Sequence, residues 1–319
     1  MKRTSDRAQQ ASVGPLLLAL VIILVWSACF VAIKASLGAA PPWSFAALRA
    51  MVAGITLLPL TAASGKLVPP VAAWPWIAAL GLTNTTLGLA AMFLSVGLAG
   101  AALPSVLANS QALLVAPLAA LLFKEPLSPS RFAALLIGIT GVALVMASAA
   151  GGRGTASGAA LGFVAAAGLA VANLITKYLG TRVDALTATT WQYLLGSAPL
   201  VALAVLVERG DPIAWGAEFV AALLFLGVVG SAGASYAWYR LVQRAELIRL
   251  NALTLLTPFF SVVLALAIYG EPFGATAAIG AALILAGVTG VAWPDRRRRA
   301  QRGDAKGRTG VDGFRNSST

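Results

Sequence analysis

The 319-residue chain has no histidine and a single cysteine, Cys29. Those absences exclude an internal disulfide, Cys/His zinc sites, His-ligated haem and imidazole acid–base chemistry. Charge is scarce as well: 11% of residues are charged, against about 25% in an average soluble domain. Acids are the rarer sign, 11 against 23 basic residues, and none lies in the interior of an apolar run, so no carboxylate relay is apparent. What fills the chain instead is apolar: 59% hydrophobic residues, in successive blocks of about 20, the length a helix needs to cross roughly 30 Å of hydrocarbon.

The reading is therefore an all-α polytopic membrane protein with ten transmembrane helices, expected at 14–35, 43–62, 72–97, 101–123, 131–150, 157–178, 187–207, 217–241, 247–269 and 274–293. A tail at 1–13 precedes them and a basic, disordered tail at 294–319 follows. The net charge of +12 would suit nucleic acid, but 8 of the basic residues, Arg296 to Arg299, Arg302, Lys306, Arg308 and Arg315, follow the last span directly, where they read as an anchor to a cytoplasmic leaflet. No nucleic-acid partner is expected. With the N-terminus inside, inner loops carry Lys66, Lys124, Arg131, Lys177, Arg182, Arg240, Arg244 and Arg249, and outer loops only Lys34, Arg153 and Arg209. Both termini are therefore expected to be cytoplasmic.

The two halves align. At an offset of 143, Lys34 falls on Lys177, Ser44 on Thr187 and Arg49 on Gln192. At an offset of 146, Gly81 falls on Gly227, Ala90-Ala91-Met92-Phe93 on Tyr236-Ala237-Trp238-Tyr239, Glu125-Pro126 on Glu271-Pro272, and Gly141-Val142 on Gly287-Val288. Repeats of five spans each, 14–150 and 157–293, must enter the membrane from opposite sides. Such inverted repeats are a recurrent plan of secondary transporters, with the substrate site between them near the midplane.

Several polar or aromatic residues fall inside spans. Arg49 sits about six residues, some 9 Å, into the second span, where an arginine costs on the order of 2.5–3.5 kcal/mol near the bilayer centre. It either attracts a substrate carboxylate or clamps helices together. Lys34 and Lys177 close the first helix of each half and read as interface anchors or as paired charges at opposite mouths. The amides Asn84, Gln111, Asn173 and Gln192 suit a zwitterion, since they donate and accept, but also serve as interhelical glue. Trp26 and Phe30 in the first span, with Trp238 and Tyr239 in the eighth, could wall a pocket for an apolar side chain. Pro258 is expected mid-helix in the ninth span, freeing a carbonyl beside Thr257, the repeat mate of Gln111. The Gln111 and Thr257 region is the expected centre of the site. Gly158 and Gly162, and Gly227, Gly230 and Gly233, read as close packing within one subunit or as a dimer face.

The pattern resembles the EamA-type members of the drug/metabolite transporter superfamily over residues 14 to 293: Trp26-Ser27-Ala28-Cys29-Phe30-Val31-Ala32-Ile33-Lys34 in the first helix, Ala46-Ala47-Leu48-Arg49 in the second, and Glu-Pro closing the fourth and ninth. Within it the chain is most similar to bacterial inner-membrane exporters of amino acids, including the aromatic-amino-acid branch. Ser27, Cys29 and Ala112 depart from the family pattern. The resemblance implies export of small metabolites, most of all amino acids, with no cofactor and no metal; monomer and homodimer are both left open. A multidrug exporter of cationic compounds is the alternative within the fold. A membrane-embedded enzyme lacks convergent nucleophile, base or metal ligands, and a channel would want a ring of pore charges.

Overall fold

A computed structural model describes residues 2–124, 128–148, 153–244, 250, 253–254, 256–270 and 274–292. Glu125-Pro126, Glu271-Pro272, Arg249 and the basic C-terminal tail lie outside the described residues. All regular structure among the described residues is helical. The helices are α1 (Lys2–Ser36), α2 (Pro42–Ala63), α3 (Val71–Ala99), α4 (Ala102–Phe123), α5 (Pro129–Ser148), α6 (Arg153–Leu179), α7 (Ala185–Val207), α8 (Ala217–Arg244), α9 (Leu256–Tyr269) and α10 (Ala275–Ala292). Seven of them, α1 to α4 and α6 to α8, contain described segments long and apolar enough to cross a membrane, and the apolar segments described in α5, α9 and α10 are shorter. The outer faces are greasy: Leu121 is 78% exposed and Leu206 69%. Such faces suit lipid, where apolar exposure carries no penalty.

Packing follows the repeat. Helix α1 packs on α9 as α6 packs on α4, and α2 on α8 as α7 on α3. The self-equivalent pairs α2 with α7 and α5 with α10 are both extensively packed. Small residues bring α5 and α10 together: a Cβ added to Gly141 would lie 2.5 Å from the Gly280 carbonyl oxygen, and one on Gly287 would lie 2.5 Å from Gly138 Cα. No side chain fits between these backbones. Gly158 and Gly162 likewise face Ala99 and Leu107 within the chain.

Helices α2 and α7 are fastened at both ends. At one end the Glu208 carboxylate accepts from the backbone N–H groups of Trp43 (2.7 Å) and Ser44 (2.8 Å) and from Ser44 Oγ, capping the start of α2. At the other, Thr187 Oγ1 and Trp191 Nε1 donate to the carbonyls of Lys66 and Leu67, and Lys66 pairs with Asp184 at 3.2 Å.

Two expectations about helix continuity are corrected. Helix α4 breaks at Ser110, between Ala102–Asn109 and Gln111–Phe123. The cause is local: Ser105, Asn109 and Ser110 donate side-chain hydrogen bonds to the carbonyls of Ala102, Ser105 and Leu107, competing with the helical ladder. Pro258 does not interrupt a continuous helix, because α9 begins at Leu256 after a turn at Thr254, so the missing N–H falls in the first turn, where no intrahelical partner is needed. Ser110 and Leu256 are repeat equivalents at the offset of 146.

Candidate functional site

Between the two halves lies an open cavity with about 950 Å³ of free space, counting the part continuous with solvent. It is lined from α1, α2, α3, α4, α6, α7, α8 and α9. Eight repeat-equivalent pairs line it together: Trp26 with Leu169, Cys29 with Ala172, Phe30 with Asn173, Arg49 with Gln192, Asn84 with Gly230, Leu89 with Ser235, Met92 with Trp238, and Gln111 with Thr257. The cavity therefore draws on matching positions of the two repeats, but its chemistry is not duplicated, since a charge faces an amide and an aromatic ring faces a thioether or an amide.

Two stretches of wide helix shape the walls. Gly81–Leu89 in α3 and Phe225–Gly233 in α8 are π-helical, at nearly equivalent places in the two repeats. A π turn shifts the register of side chains and is frequent at functional sites. In α8 it brings Ser231 to Arg49, whose Nε donates to Ser231 Oγ at 2.8 Å, while Arg49 Nη2 lies 3.9 Å from Cys29 Sγ. The Arg49 guanidinium also stands 5.8 Å from the Phe93 ring centroid. Its Nη1 is buried and has no hydrogen-bond partner among the described residues.

The amides form two groups. Trp238 Nε1 donates to Asn173 Oδ1 at 3.0 Å and Asn173 Nδ2 to Gln111 Oε1 at 3.0 Å, tying α8, α6 and α4 in one chain. Asn84 Nδ2 approaches Gln192 Oε1 at a long 3.5 Å. The rings of Trp26 and Trp238 meet edge to face at 5.3 Å, and Trp26 Nε1 donates to the Gly230 carbonyl at 3.2 Å. Thr257 Oγ1 and Tyr239 Oη are buried without a partner among the described residues.

The structure thus brings Trp26, Phe30, Asn84, Gln111, Asn173, Gln192, Trp238, Tyr239, Thr257 and Arg49 to one cavity wall. Lys34 and Lys177 are not part of that wall; Lys34 instead caps α1 with its ammonium 4.3 Å from the Tyr269 ring centroid, a cation–π contact. Cys29, Asn109, Thr176 and Tyr193 gain places at the cavity that sequence patterns did not single out as a site. The glycine spacing of Gly227, Gly230 and Gly233 was the one available signal of the π segment. It favours a wide turn as well as close packing. No group of three or more His, Cys, Asp or Glu able to hold a metal occurs among the described residues.

The model of the EamA-like transporter family matches twice, at residues 14–147 and 156–293. The chain belongs to the EamA-like transporter family. Its two repeats are therefore EamA repeats, and the protein is a multi-pass membrane protein of the drug/metabolite transporter kind. Among relatives, a chloroplastic WAT1-related protein of Arabidopsis thaliana is 30% identical over 284 residues, covering 85% of this chain and 67% of that one. The "Probable amino-acid metabolite efflux pump" of Salmonella typhimurium is 27% identical over 281 residues, covering 85% and 92%. A protein of known crystal structure is 25% identical and superposes with a TM-score of 0.68, covering 89% of this EamA-like chain and 97% of the other.

Proposed function

We propose that the protein is a secondary transporter of a bacterial inner membrane that exports small metabolites, amino acids foremost and aromatic ones among them. Ten spans, arranged as two antiparallel quintets with both termini cytoplasmic, would expose the cavity alternately to either side by exchanging the conformations of the halves. One observation carries this reading: the cavity is built from repeat-equivalent positions of both halves, and the breaks in α4 and at the start of α9 sit beside it, bearing Gln111 and Thr257. Discontinuous helices at a repeat interface are the usual seat of a substrate in such carriers. Amides and indoles give the wall both hydrogen-bonding capacity and apolar area, which suits a small amphipathic molecule. The amino-acid efflux relatives point the same way.

The test is counterflow in proteoliposomes containing only this protein. Vesicles loaded with unlabelled phenylalanine should transiently accumulate labelled phenylalanine above equilibrium, and Gln111→Ala should slow the exchange at least several-fold. Net flux without counterflow would indicate a pore, and no flux with any member of an amino-acid panel would overturn the proposal.

A further inference from the structure

We infer that the cavity is a carboxylate site: its ligand is an organic acid bearing an aromatic or large apolar group, with the carboxylate on Arg49 and the apolar group against Trp26, and the ligand's ammonium, if it has one, contributes little. This deepens the transport reading and rests on it for the passage of the ligand, but not for its binding.

Among the described residues Arg49 is the one charged side chain on the cavity wall, and it is 4% exposed. A buried cation of this kind is costly unless something answers its charge. What the protein supplies is neutral: the Ser231 hydroxyl at Nε and the Cys29 thiol at 3.9 Å from Nη2. Nη1 is left without a partner among the described residues. A guanidinium presents donors in a planar fork that matches a carboxylate, so the unfilled donor is where an anionic oxygen would bind.

The apolar half of the ligand has a place one residue away. Gly230 joins the two features: its carbonyl accepts from Trp26 Nε1, and a Cβ added to it would lie 3.7 Å from Arg49 Nη2. A carboxylate on Arg49 therefore leaves its substituent beside the Trp26 and Trp238 pair. An ammonium finds neutral amide oxygens such as those of Asn84 and Asn109 but no counter-charge among the described residues. No Asp or Glu among the described residues lines the cavity, and the amide oxygens of Asn173 and Gln111 already accept from Trp238 and Asn173. Affinity should thus follow the carboxylate, and a cationic drug should be refused.

Four probes of similar bulk separate the possibilities: phenylpyruvate, phenylalanine, phenethylamine and the methyl ester of phenylpyruvate. Each is titrated against the purified full chain, with thermal stabilisation as the readout of binding, and each is tried in counterflow. Phenylpyruvate should bind at least tenfold more tightly than phenethylamine and than its own ester, since hydrogen bonds to a charged group are worth tenfold or more. Phenylalanine should lie within about threefold of phenylpyruvate. Arg49→Gln should bring the acid and the ester together. Should that variant fail to fold, the acid-to-ester ratio on the unmodified chain decides alone. Equal binding of acid and ester, tighter binding of phenethylamine, or binding of none of the four would each overturn the inference. Acids that bind but do not exchange would uphold the site and overturn the transport reading instead.

Discussion

Gly230 shows how much at this site hangs on one missing methyl group. Its added Cβ would stand 2.5 Å from Cys29 Sγ, a distance no native pair sustains, so Gly230→Ala must push the thiol away and with it the Arg49 contact. Overpacking of this kind costs about 1–3 kcal/mol. Gly230→Ala is expected to lower both the thermal midpoint and the exchange rate, and adding Cys29→Ala should recover part of both by vacating the space; no recovery in the double variant would mean that the strain lies elsewhere. The sequence already pointed to Trp26, Phe30, the four amides, Arg49 and Thr257, because polar or bulky groups at membrane depth are few and each needs a reason. Their partners were not legible. Arg49 and Ser231 are 182 residues apart, and only the fold decides that they touch. Lys34 was ambiguous for the same reason, since its ring partner Tyr269 belongs to another helix.

At the scale of helices, period and length revealed where elements lie but not where they widen or break. A π stretch such as Phe225–Gly233 keeps the apolar composition of an ordinary span, and only its glycines hint at it. The break at Ser110 was equally hidden, because serine and asparagine are common in helices until their side chains capture carbonyls. Glu208 is the clearest case of a role that composition obscures: it belongs to a polar connection in sequence, yet it is 8% exposed and crosses to cap α2. Removing it by Glu208→Ala leaves two N–H groups and a hydroxyl without their acceptor. The expected loss is about 1–2 kcal/mol, read as a fall in thermal midpoint, with Glu208→Gln losing less because one amide oxygen can still accept. An Ala variant as stable as the parent would show that water replaces the cap.

For the molecule as a whole, the doubly fastened α2 and α7 and the backbone-close α5 and α10 form two couples that neither half can release easily. Under the alternating exchange proposed above, movement about them by α1, α3, α4, α6, α8 and α9 would be the cheaper route to opening the cavity on alternate sides. A bifunctional maleimide bridging Lys66→Cys and Asp184→Cys, which spans the place of the existing 3.2 Å ion pair between longer side chains, should therefore leave counterflow within about twofold of the unlinked protein. Arrest of exchange by that tether would make α2 and α7 moving parts. The positive charge of Arg49, unmatched among the described residues of the cavity wall, has an electrical consequence. If the cargo is a monoanion, each outward trip moves one negative charge, and a cell interior held 100 mV negative favours that trip by about 2.3 kcal/mol, roughly a fiftyfold concentration ratio. Voltage alone would then drain such acids from the cell, with no second ion required to ride along.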